Sequence, residues 1–234
     1  MQRNQTQIYL NSNNPQALFK QTAYHEAGHA VAIHLRNKQL QLPPVFFQIN
    51  LFGTDCTTTD HCLAKVRGGR LMEHLPHSIA HLPQAEQFAY IAAFEADIIN
   101  LLIGPLAEAK YVALRDDEVF NQHLVNVPAL IAYGGDSDLK IVDDYLHCFI
   151  QNLQQRNEKI EQLFIEAYHF IEYPGHWKII KAVATYIMHC AKTTITCEEI
   201  MQVIDLALNT QATPWLMRLK SQSMMPTEAQ RSLG

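Results

Sequence analysis

Cysteine is scarce and without pattern in this sequence of 234 residues. The five cysteines are an odd number, and no two of them form a CxxC pair. A disulfide scaffold needs an even set at regular spacings, so the sequence argues against a small secreted, disulfide-bonded protein. The pattern is typical of free thiols in a reducing compartment. We therefore predict a cytoplasmic protein.

An excess of basic residues is also missing. The chain has 18 Lys and Arg against 23 Asp and Glu, a formal net charge of -5. A broad basic face for nucleic acid is therefore not expected. The nearest approach to a basic cluster is Lys65, Arg67 and Arg70. With 48% apolar and 18% charged residues, the composition is that of a globular protein of about one domain.

No signal peptide or membrane span is expected from the sequence. The first residues, MQRNQTQIYLNSNN, lack both a charged start and an apolar core. The most apolar stretch, residues 88–106, is interrupted by Glu95, Asp97 and Gly104-Pro105. We expect it to be too short and too polar to cross a bilayer, and we predict no membrane partner.

The hydrophobic pattern predicts a mainly α fold with a small two- or three-stranded β element. Strands are expected at Val45–Leu51 and Cys62–Val66. Thr22 is predicted to cap a first helix that ends near Arg36. Further helices are expected over 84–103, to about 114 after a break at Gly104-Pro105, and over 137–153, 157–172, 175–191 and 197–209, the last started by Thr196. The predicted organisation is a flexible arm over 1–17, one domain over 18–209 and a tail over 210–234.

The motif that carries chemistry is His25-Glu26-Ala27-Gly28-His29, an HExxH sequence within the first predicted helix. Residues four apart share a helix face, so both imidazoles can reach one tetrahedral metal ion. Glu26 would then lie beside the metal and act as the base that activates a metal-bound water. A glycine inside a helix costs about 1 kcal/mol relative to alanine. Gly28 therefore suggests close approach of another backbone, although an ordinary core contact would also explain it.

A third ligand is needed, and the spacing of residues does not identify it. The downstream carboxylates Glu95, Glu108 and Asp138 are all candidates, and each could instead be a solvated or capping side chain. Two histidines on an ordinary surface helix would be the simplest alternative to a metal site.

The segment YHEAGHAVA resembles the peptidase domain of the FtsH-type ATP-dependent zinc metalloproteases. Three later segments follow that family's order: IINLLIGPLAEAKY, YGGDSDLKIVDDY and the closing helices with EAY and EEI. The resemblance covers residues 20–205, and its specific parts are HEAGH and the DSDL region.

The resemblance implies a zinc-dependent endopeptidase that acts on peptides or unfolded protein segments. It assigns Asp138 as the third zinc ligand beside His25 and His29, with Glu26 as the catalytic base. It also implies that a strand edge near the metal pairs with the substrate backbone, a sequence-tolerant way to hold a peptide. The segment VFFQINL, at 45–51, has the corresponding place in the order.

The sequence also departs from that family. No GxxxxGK[ST] motif occurs, so we expect no ATPase domain in this chain, and a homo-oligomer or a separate ATPase partner stays open. Pro105 and Leu106 replace the Gly-Arg of the family's GGR segment. These departures motivate an alternative, a non-catalytic peptidase-like domain that binds or regulates a partner. A hydrolase that uses the same zinc centre on a non-peptide amide is a third reading.

Overall fold

The computed structural model describes the backbone over residues 15–42, 45–52, 64–68 and 82–222, and the side chains to residue 209. Within these ranges the protein is mainly α with a small antiparallel sheet, as predicted. The helices are α1 (Pro15–Gln39), α2 (Gln84–Arg115), α3 (Asp136–Phe149), α4 (Leu153–Glu172), α5 (Pro174–His189) and α6 (Cys197–Gln222), with a 3-10 helix at Val127–Tyr133.

The sheet has three strands, β1 (Phe47–Leu51), β2 (Ala64–Gly68) and β3 (Thr194–Thr196). Their order is β2-β1-β3, and both pairings are antiparallel. Ile49 lies opposite Val66 on one side and Ile195 on the other. Because side chains alternate across a strand, Ile49 and Phe47 share the face that is buried in the core.

Helices α1 and α2 pack closely because their contact is lined by small residues. Ala23, Ala27 and Ala30 of α1 are fully buried. A Cβ at Gly28 would lie 2.8 Å from the Cβ of Ala107 and 2.9 Å from a backbone carbonyl oxygen of α2. The close approach that the glycine suggested is therefore present. It brings the HExxH motif directly against the middle of α2.

Helix α2 is continuous through Gly104-Pro105, so the predicted break there is wrong. Pro105 has no N–H to donate to the carbonyl of Leu101, which normally weakens a helix interior. Here Pro105 and most of its neighbours are buried against α1 and α4. Tertiary packing therefore outweighs the local cost of the proline.

The expectation that the apolar stretch of α2 is too short and too polar for a membrane is also wrong by length and composition. Its best 18-residue window has a mean hydropathy of 1.4, and 61% of that window is buried inside the protein. The polar residues along it are too few to lower the hydropathy of the whole window. A buried core helix of a soluble protein has the same composition, so this finding is weak evidence for a membrane span.

The first helix begins seven residues before the predicted cap. Pro15 occupies its first turn, where a missing N–H costs nothing. Thr22 lies inside the helix, and its hydroxyl donates to the carbonyl of Leu18 at 3.1 Å. Residues 15–17 of the predicted flexible arm are therefore helical, whereas residues 1–14 lie outside the described part of the chain.

Other element boundaries also differ from the prediction. Asn152 caps α4 by accepting from the amide of Gln155, so this helix starts earlier than expected, and α3 ends at Phe149. Helix α6 continues through Pro214 to Gln222, past the predicted start of the tail. Strand β1 starts two residues later than predicted, whereas residues 62–63 of the predicted second strand lie outside the described part of the chain. Strand β3 was not predicted. The 3-10 helix was not predicted either, and it is capped by Asn126, which accepts from the amide of Ala129.

Thr196 begins α6, as predicted. Its hydroxyl accepts from the amide of Glu199 at 3.4 Å, and the Glu199 carboxylate accepts from the Thr196 amide at 3.0 Å. This reciprocal pair is a capping box. It joins the end of β3 to the start of α6.

Thr196→Ala is expected to lower the free energy of unfolding by about 1 kcal/mol, because one amide of the first turn loses its acceptor. Urea denaturation followed by circular dichroism measures the change. Thr185→Ala is the matched control, since that exposed hydroxyl bonds only the Lys181 carbonyl of its own helix. Equal stabilities for the two variants would contradict the capping role.

Candidate metal centre

Helix α1 presents the three chemically important side chains of the motif inside the protein. His25, Glu26 and His29 are only 6%, 6% and 7% exposed. The two imidazoles lie one helical turn apart, with ring centroids 4.8 Å from each other. Polar side chains with so little exposure need partners, because an unpaired buried polar group costs free energy.

Asp138 supplies the carboxylate that faces both histidines. Its Oδ2 lies 3.2 Å from Nε2 of His25, and its Oδ1 lies 3.5 Å from Nε2 of His29. The residue is in the first turn of α3, where the helix dipole favours a negative charge. The turn before α3 requires Gly134, which has φ +74° and would place a Cβ 3.2 Å from His25 Nδ1.

The other ring nitrogen of each histidine is held by a separate partner. Nδ1 of His29 lies 2.9 Å from the carbonyl oxygen of Asn100. Nδ1 of His25 lies 3.1 Å from Oε2 of Glu108 and 3.2 Å from the carbonyl oxygen of Tyr133. A carbonyl only accepts, so Nδ1 carries the proton in both rings. Each Nε2 is therefore directed to the space that the two rings share with Asp138, as in metal-binding histidines.

His25, His29 and Asp138 form a buried group that could hold a metal ion, with one ligand atom from each within 4.8 Å of the others. A tetrahedral site with bonds of about 2.0–2.2 Å separates its ligand atoms by roughly 3.4 Å. The two distances from Asp138 to the histidines are close to that value. The donor set and its spacing therefore fit a small divalent cation.

The electrostatics of the metal-free group follow from its burial and its charges. Burial disfavours the charged form of His25, but the carboxylates of Asp138 and Glu108 outweigh it and hold the pKa of His25 well above its usual range. Burial raises the pKa of Asp138, but the neighbouring His29 and His25 outweigh this effect and hold the pKa of that carboxyl well below its usual range. Without a cation, a proton on His25 therefore balances the charge of Asp138.

Glu26 lies beside this group but is not one of its three members. Its Oε2 accepts from the backbone amide of Val66 at 2.5 Å, which connects α1 to β2. Burial raises the pKa of Glu26, and the neighbouring His25 and His29 oppose that rise. A carboxylate adjacent to a metal site without ligating it has the position of a general base.

Of the three carboxylates left open by spacing, only Asp138 faces both histidines. Glu95 accepts from the ammonium of Lys159 at 2.8 Å on another side of α2. Glu108 contacts Nδ1 of His25, whereas Asp138 contacts Nε2 of the same ring.

The segment 45–51 was expected to offer a strand edge to a substrate, and this expectation is wrong. Strand β1 is the central strand, hydrogen-bonded on both sides by β2 and β3. The strand next to Glu26 is β2, and within the described residues it pairs only with β1. The strand beside the motif is therefore Ala64–Gly68 and not the segment 45–51.

Sequence reasoning missed the residues that act through their backbone. The carbonyls of Asn100 and Tyr133 and the amide of Val66 all contact the motif. A backbone contact leaves no trace in residue type, so no signal could have identified them. The sequence indicates Gly104 only as a helix breaker, although a Cβ there would lie 2.3 Å from the His29 ring.

Comparison with models of known protein families and with curated proteins found no match for this chain. The similarity to the FtsH-type peptidases therefore rests on the motifs quoted above.

Gly104→Ala is expected to lower metal affinity by at least about tenfold, because the new methyl group must displace the His29 ring. Titration against a chromophoric chelator measures the affinity. Gly175→Ala is the control, because there the new methyl group meets the ring of Tyr173, which is 58% exposed and can turn away. Unchanged affinity in Gly104→Ala would contradict the assignment of His29 as a ligand.

Glu108→Ala should weaken metal binding by about ten- to a hundredfold, because the His25 ring loses the carboxylate that orients it. Glu108→Gln should recover part of the loss, since its amide oxygen still accepts from Nδ1. The same chelator titration applies, with Glu95→Ala as the control on the same helix. If Glu108→Ala and Glu95→Ala bind metal equally well, the orienting role is refuted.

Proposed function

We propose that this protein is a zinc-dependent metallopeptidase that hydrolyses peptide bonds in peptides or unfolded protein segments. The observation that carries the proposal is the buried group of His25, His29 and Asp138 with Glu26 beside it. Two imidazoles and one carboxylate, with a fourth position open, are the ligand set of many catalytic zinc sites. The quoted motifs add the resemblance to the FtsH-type peptidases.

The donor chemistry favours zinc over the other common cations. Magnesium and calcium prefer oxygen ligands, whereas two imidazole nitrogens suit zinc. A zinc ion bound here would polarise the scissile carbonyl and increase the acidity of water. Glu108 and the carbonyls of Asn100 and Tyr133 would keep both rings aimed at it.

Glu26 is the residue of this chain that would move the proton. As a carboxylate it can take a proton from the attacking water and deliver it to the leaving amine. Its bond to the Val66 amide holds it beside β2. A peptide bound on this side of β2 would therefore lie next to the base.

The Val66 amide shows which side of β2 faces the motif. Because this amide donates to Glu26, it points away from β1. In an antiparallel pair, backbone groups alternate between the two sides of a strand, so those of Lys65 and Arg67 point to β1. Strand β2 therefore presents its other side to the proposed base.

Glu26→Gln should reduce peptide hydrolysis by at least about a hundredfold, because the amide cannot accept the proton. Release of fluorescence from a pool of quenched peptides measures turnover, and plasma mass spectrometry should show unchanged metal content. Glu95→Gln, a change on α2, should leave turnover intact. Turnover that survives Glu26→Gln would show that the base is misassigned.

The alternative of a non-catalytic binding module gives a different result in the same assay. Wild-type protein and Glu26→Gln would then bind the peptides equally, and neither would release product over long incubation. A wild-type protein that holds zinc and cleaves no peptide would move the assignment to this class or to a non-peptide substrate.

A further inference from the structure

The proposed base is held by a group that is neither a metal ligand nor a side chain. Glu26 is only 6% exposed, and its Oε2 accepts from the backbone amide of Val66 at 2.5 Å. Within the residues that the structure describes, this amide is the one hydrogen-bond donor to the Glu26 carboxylate. A buried carboxylate without a donor would cost free energy. The bond is therefore a direct link between the sheet and the motif.

The amide of Val66 can serve Glu26 because its strand pairing does not use it. Val66 lies opposite Ile49, and backbone groups alternate between the two sides of each strand in an antiparallel pair. The groups of Lys65 and Arg67 point to β1, whereas the Val66 amide points to the motif. Removal of this one N–H therefore leaves the hydrogen bonds between β1 and β2 in place.

The position of that amide is fixed by the sheet and not by α1. All of β2 pairs with β1, and β1 pairs with β3 on its other side. Phe47 and Ile49 anchor β1 in the core, and Ala64 is buried at the start of β2. Groups on regular elements of a scaffold are held more precisely than groups on loops. The Val66 amide is therefore a fixed donor beside a side chain that could otherwise rotate.

We propose that the backbone N–H of Val66 positions the Glu26 carboxylate for hydrolysis, so that the sheet controls the rate of the reaction without supplying a metal ligand. This inference rests on the proposed function, since Glu26 acts as a base in that reaction. A glutamate side chain rotates about several bonds, and a bond to one carboxylate oxygen restricts all of them. With Oε2 held by the amide, Oε1 is the oxygen left to accept the proton of the attacking water.

The expected loss falls on the chemical step. A misplaced catalytic group can lower the rate by about a hundredfold for a shift of about 1 Å, so removal of the N–H should lower kcat by about ten- to a hundredfold. The zinc affinity should stay close to that of the wild type, because the amide bonds Glu26 and none of the three proposed ligands. The values of kcat and kcat/KM should fall together, as for an interaction that is made only in the transition state.

Two variants remove the hydrogen in different ways. Val66→Pro removes the N–H, and proline is tolerated in a strand where the N–H takes no part in pairing. A chain with an ester in place of the Val66 amide loses the same hydrogen and keeps the valine side chain. Val66→Ala is the conservative comparison, because it shortens the side chain and keeps the donor. Turnover of quenched peptides is divided by the zinc bound to each protein, so that unfolded chains are not counted.

Both donor-free variants should lose about tenfold or more in kcat per bound zinc, whereas Val66→Ala should lose far less. Wild-type kcat in either donor-free variant would overturn the inference. An equal loss in Val66→Ala and Val66→Pro would overturn it too, because the side chain and not the N–H would then be responsible. If both donor-free variants no longer bind zinc, the N–H supports the fold as a whole, and the positioning role is also refuted.

Failure of the proposed function gives a separate result. A wild-type protein that binds zinc and cleaves no peptide refutes the peptidase, and the nuclear magnetic resonance signal of the Val66 amide proton then tests the contact itself. Hydrogen bonds to an ionised acceptor are shorter and stronger than neutral ones. Glu26→Gln should therefore move this signal upfield, whereas Glu95→Gln should leave it in place. A signal that moves supports the hold of the sheet on Glu26 for a reaction with another substrate. A signal that does not respond to Glu26→Gln refutes the contact and any positioning role.

Discussion

The structure depends on keeping two imidazoles and two carboxylates inside one small protein without unbalanced charge. Burying an ionised group costs several kcal/mol unless an opposite charge or a cation compensates it. His25 and Asp138 compensate each other when no metal is present, and a divalent cation among His25, His29 and Asp138 would compensate more completely. The surrounding helices are arranged so that every ring nitrogen of the motif has a defined partner.

Close packing at three glycines makes that arrangement sterically feasible. Gly28 lets α1 approach α2, Gly104 makes room for the His29 ring, and Gly134 turns the chain so that Asp138 faces both histidines. A Cβ at any of these positions would lie within 3.2 Å of an atom of a neighbouring element. The same close contact between α1 and α2 explains why α2 remains helical through Pro105.

The sequence was sufficient to predict the parts of the site whose chemistry depends on residue type. The spacing of His25 and His29 predicted two side chains on one helix face, and the resemblance to a known family singled out Asp138 among three carboxylates. It was not sufficient for contacts made by the backbone, such as the Asn100 carbonyl, or for β3, a three-residue strand that exists because β1 lies beside it. The segment 45–51 was wrongly predicted to be an edge strand, because strand order depends on the same long-range pairing of β1 with β3.

The zinc content of the purified chain, measured by plasma mass spectrometry, tests most directly whether the buried group is a metal site. The account predicts about one zinc per chain in the wild type and in Asp136→Ala, an exposed change in the same helical turn, and far less in Asp138→Ala. A wild-type protein that stays free of metal after incubation with zinc, or an Asp138→Ala variant that holds as much as the wild type, would contradict it.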